Sequence, residues 1–147
     1  MDESAYRAAR GALNPSPCVF EKALLARCAG CSLAVNHALA EREAVRCASP
    51  VARTNCATLL ALLRERSAFA LKLAPGAGPL PHAVTMRLQC GGLLGVRDAL
   101  AAERIDVHAL VAGAQQRWGS LADLPWSAIV PGVAAWQGRR RRREADR

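Results

Sequence analysis

The chain has 147 residues, of which 52% are apolar and only 4% aromatic, and it carries a net charge of +8. That length holds one hydrophobic core without disulfide staples, and a composition dominated by Ala and Leu suits packed helices better than sheets. It contains no eighteen-residue apolar run and therefore no transmembrane segment, and the charge is uneven: residues 139–147 hold six arginines against Glu144 and Asp146, half of the total.

Helix-start chemistry appears first at Ser16-Pro17-Cys18, a capping hydroxyl ahead of a proline suited to the first helical position. A helix from about Pro17 to Arg27 is expected, closing near Gly30 in a left-handed cap. Ser32 then caps a second helix, SLAVNHALAEREAVRC, with Leu33, Val35, Leu39 and Val45 among its apolar positions and Glu41, Arg42 and Glu43 on its wet side. Ser49-Pro50 repeats the start signal for a third and longest helix, to about Leu73, whose leucines form a broad apolar face.

Ala74 to His82, APGAGPLPH, reads as a connector. Beyond it the pattern gives a short segment, a break at Gly91-Gly92 and a helix from about Leu93 to Glu103. Asp106 caps VHALVAGAQQRW, and the last unit, SLADLPWSAIVPGVAAW, reads as one or two short helices broken at Pro125 and Pro131. The expected fold is all-α: a small single-domain bundle of five or six helices over residues 1–138, with an arginine-rich tail over 139–147.

The chemistry lies in six cysteines: Cys18, Cys28, Cys31, Cys47, Cys56 and Cys90. The N-terminal MDESAYRAARGALNPSP has neither a basic leader nor an apolar signal region, so the thiols are expected to be reduced and the protein cytoplasmic. Cys28 and Cys31 are the best local pair, flanking a two-residue CAGC turn. If the first two helices form a hairpin turning there, Cys18, Cys47 and Cys56 meet at the opposite end, with Cys90 as a fourth. If the second helix is broken, Cys28 and Cys31 join Cys47 and either Cys18 or Cys56. One tight pair among dispersed thiols favours an iron–sulfur cluster over zinc, which more often shows two tight pairs. The bland alternative is six small buried hydrophobes.

His37, His82 and His108 fall in no metal-ligand spacing, and no phosphate loop, carboxylate pair or thioredoxin context is present, so nothing points to an enzyme. Arg139, Arg140, Arg141, Arg142 and Arg143 are candidates for contact with a protein partner or nucleic acid. The resulting expectation is a helical iron–sulfur protein serving electron transfer, cluster handling or redox sensing beside a protein partner. The alternative is a zinc-stabilised or metal-free interaction module whose basic tail contacts nucleic acid or an acidic partner.

Overall fold

A computed structural model describes residues 16–76 and 78–138. The elements run α1 (Glu21–Leu25), β1 (Ala34–Leu39), β2 (Arg42–Cys47), α2 (Pro50–Ser67), α3 (His82–Met86), a π-helical turn (Arg87–Gly91), α4 (Gly92–Leu100), α5 (Val107–Trp118), a 3-10 turn (Leu121–Asp123) and α6 (Trp126–Ala135). The molecule is mostly helical, but the expected second helix is an antiparallel hairpin in which Ala34 pairs with Cys47 and Leu39 with Arg42. The all-α expectation is corrected to a helical domain with a two-stranded sheet.

Tertiary pairing explains the hairpin. The backbone groups of β2 that point away from β1 are taken up by the chain before α1: Cys18 N–H donates to Val45 O at 2.9 Å and Cys47 N–H to Ser16 O at 2.9 Å. The buried Glu21 carboxylate accepts from Val45 N–H at 2.8 Å. A helix over the same residues would leave these partners unsatisfied, and buried polar groups rarely tolerate that. The two-residue turn places Ala40 and Glu41 at φ 48° and 71°, the twist of a type I′ turn without its usual Asn-Gly. Because Ser16–Cys18 is spent on this pairing, the first helix shrinks from the expected Pro17–Arg27 to Glu21–Leu25.

Its end is also displaced. Arg27, at φ 62°, takes the left-handed position assigned to Gly30, with Cys28 N–H donating to Ala23 O at 2.9 Å and Arg27 N–H to Leu24 O at 3.1 Å, the paired bonds of a Schellman cap. Ser49 caps α2 as its sequence requires, accepting from Ala52 N–H at 3.2 Å. Leu59 and Leu63 carry α2 into the main core with Leu93, Val96, Leu110 and Ile129.

The expected break at Gly91-Gly92 does not occur. α3, the π-helical turn and α4 follow one another without interruption, and the glycines serve close packing instead. A Cβ on Gly91 would lie 2.9 Å from Trp136 Cβ and 3.0 Å from Val133 Cα, and one on Gly92 would lie 2.7 Å from both methyls of Leu63. Pro131 lies inside α6 on its exposed side and does not divide it. Among the described residues no helix is long and apolar enough to cross a membrane.

Candidate metal centre

Four of the six thiols reach one place from four separate segments. Cys18 is fixed by its backbone bond to β2, and its neighbour Pro17 O accepts from Arg53 Nε at 2.8 Å. Cys47 closes β2 two residues before the Ser49 cap, its thiol donating to Ser49 O at 3.2 Å. Cys56 follows at the end of the second turn of α2, which brings it back over the same corner.

Cys31 is delivered by a device that reads only as a helix cap in the sequence. Gly30 N–H donates to Ile105 O and Val107 N–H to Gly30 O, each at 2.8 Å, a short parallel bridge beside Asp106. Asp106 then binds in three directions: Oδ1 accepts from Ser32 N–H at 2.6 Å, Oδ2 from Ser32 Oγ at 3.2 Å, and Oδ2 from Ala109 N–H at 3.3 Å at the start of α5. Cys31 is thus held between two anchored residues.

Cys18, Cys31, Cys47 and Cys56 line an enclosed cavity of about 10 Å3, together with apolar residues including Val19, Leu33 and Val107 and with His108. Burial pushes the Cys56 thiol up to about 12, and the neighbouring Cys31, Cys18 and Cys47 add to the rise. Burial likewise raises Cys18 to about 11; the backbone N–H of Phe20 opposes the rise, Cys31 and Cys47 reinforce it, and the Arg53 guanidinium opposes it. Each thiolate therefore disfavours the next, a conflict that a multivalent cation among them relieves. Among the described residues no three His, Cys, Asp or Glu side chains are arranged to hold a metal ion.

The remaining pair is separate. Cys28 lies within electrostatic reach of Cys90 of the π-helical turn. Neither thiol lines the four-cysteine cavity. Neither sequence-based grouping of four is therefore the one brought together: Cys31 stands in place of Cys90 in the first, and in the second Cys18 and Cys56 are both present and Cys28 is not. The chain is extended and bridged after α1, so residues three apart face opposite sides, whereas the CAGC pairing presupposed a helix end. Of the histidines, His108 alone lines the cavity among the described residues; His82 lies in a groove beside Cys28, and His37 sits on β1. Arg139, Arg140, Arg141, Arg142 and Arg143 lie outside the described residues. Compared with protein-family models, curated proteins and solved structures, the chain matches none.

Proposed function

We propose that Cys18, Cys31, Cys47 and Cys56 hold an iron–sulfur cluster, and that the protein is an electron-transfer or redox-sensing partner of a larger system. The observation that carries this reading is the convergence of four thiols, from four separately anchored segments, on one enclosed cavity. Zinc needs its four sulfurs at about 2.3 Å from one point. A four-iron cluster instead takes each thiolate on a different iron at the outside of a larger core, and so does not ask four sulfurs to meet at one point.

Four cysteine ligands leave no iron open to a substrate, which favours electron transfer or sensing over catalysis.

The test is purification without oxygen, followed by visible absorption and by iron, acid-labile sulfide and zinc content. A coloured protein with iron and sulfide is expected, with the colour lost in Cys18→Ser, Cys31→Ser, Cys47→Ser and Cys56→Ser but kept in Cys28→Ser and Cys90→Ser. Stoichiometric zinc without colour would replace the cluster with a structural zinc site. A folded protein holding neither metal would reduce the four thiols to core residues.

A further inference from the structure

The two cysteines outside the four-thiol cavity are arranged for chemistry of their own. Cys90 is 2% exposed and lies close enough to Cys28 for each thiol to act on the other electrostatically. Cys28 is half-buried and lines a surface groove of about 490 Å3 with Ala26, His82, Met86, Arg87 and Trp136. One sulfur of the pair is thus reached from solvent and the other lies behind it. The segments carrying them are tied: Ala23 N–H donates to Gln89 Oε1 at 3.0 Å in the buried interior, and Cys28 N–H donates to Ala23 O at 2.9 Å. Burial, and after it the neighbouring Cys28, push the Cys90 thiol upward, so Cys90 rests protonated.

We propose that Cys28 and Cys90 form a reversible redox dithiol, with Cys28 attacking and Cys90 resolving, oxidised by a small carboxylate-bearing disulfide that enters the groove beside Arg87. In the first step the Cys28 thiolate attacks one sulfur of the incoming disulfide. A bond forms to Cys28, the incoming S–S bond breaks, and the departing thiolate takes up the proton that Cys28 gave up. The Cys90 sulfur then attacks Cys28 Sγ, forming the Cys28–Cys90 bond and expelling the second small thiol, which leaves with the Cys90 proton. The protein gives up two electrons and two protons, and the small disulfide becomes two thiols.

Arg87 is exposed on the groove rim, which gives the carboxylates of such a molecule a charge partner. The pair is independent of any metal bound by the other four thiols.

The reduced full-length protein is exposed to glutathione disulfide, alkylated, digested with trypsin and mapped by mass spectrometry. The expected product joins peptide 28–42 to peptide 88–97, with fragment ions assigning the bond to Cys28 and not to Cys31, and dithiothreitol reverses it. Cys90→Ala should stop at a glutathione adduct on Cys28. Arg87→Gln should slow the reaction with glutathione disulfide several-fold while leaving that with uncharged hydroxyethyl disulfide unchanged. Wild-type protein that links only Cys18, Cys31, Cys47 or Cys56, carries glutathione on Cys28 without closing the bond, or leaves Cys28 and Cys90 alkylated would overturn the dithiol. Equal slowing with both disulfides in Arg87→Gln would overturn the carboxylate preference.

Discussion

Asp106→Ala should destabilise the protein more than loss of a helix cap does. The cap itself, Oδ2 to Ala109 N–H at 3.3 Å, is of a kind worth about 1 kcal/mol. The same carboxylate also accepts from Ser32 N–H at 2.6 Å and Ser32 Oγ at 3.2 Å, and bonds of this kind contribute about 1 kcal/mol each after exchange with water. The expected loss is therefore about 2–3 kcal/mol. Ser49→Ala is the control, because Ser49 Oγ accepts only the cap bond from Ala52 N–H and its loss should cost about 1 kcal/mol. Urea denaturation of metal-free protein measures both as shifts in midpoint at constant slope. Asp106→Asn, which keeps the capping oxygen, should fall between wild type and Asp106→Ala. If Asp106→Ala costs no more than Ser49→Ala, Asp106 is a cap and nothing else, and the account of how Cys31 is placed fails.

The thiols set a pH dependence with a definite sign. Folding raises Cys18 from 9.0 to about 11 and Cys56 from 9.0 to about 12, so their contribution is fully present below pH 9 and declines as pH rises toward 11 to 12; denaturant midpoints of metal-free protein from pH 8 to 12 should fall accordingly. Metal binding should show the opposite trend, tightening with pH near neutrality as bound thiols release protons, readable by proton-release calorimetry. Gly91→Ala should cost about 2–3 kcal/mol by denaturation, since its new methyl meets α6 at Val133 Cα and Trp136 Cβ, which cannot rotate away. Gly92→Ala should cost about 1 kcal/mol or less, because the obstacle is the tip of Leu63 and the helix gains propensity. Ser67→Ala should raise stability by up to about 1 kcal/mol, since Ser67 Oγ is buried without a hydrogen-bond partner and its removal ends a desolvation cost.

What the sequence revealed was chemistry acting within a turn or two. Ser49-Pro50 and Asp106 announce α2 and α5 because capping involves only neighbours. The hairpin was hidden because AEREA favours helix locally, and its turn lacks glycine. What settles it as a sheet is the hydrogen bonding of β2 to Ser16, Cys18 and Glu21, and nothing in residues 34–47 encodes that. The cysteines divide in the same way. The approach of Cys18, Cys47 and Cys56 was foreseen from an assumed helical hairpin, and the β-hairpin preserves it because either fold returns the chain to its starting end. The helical-hairpin arrangement left Cys31 at the far turn because its position depends on residues 105–107, far along the chain. The available clue was an aspartate with more acceptor capacity than a cap consumes, together with a serine beside the cysteine able to use it.

The bridge between Gly30 and Asp106 has a consequence for biosynthesis. All four thiols of the proposed centre leave the ribosome before Asp106 does, so a nascent chain holds Cys31 on a segment whose anchor at residues 105–107 is still missing. Metal meeting that chain finds four thiols of which one is not yet positioned, and a polypeptide ending before Asp106 should retain metal poorly, a difference that metal analysis after gel filtration would reveal. On the proposed reading, assembly of the centre would wait until synthesis has passed Asp106, and a chain cut short would carry the thiols without a formed site.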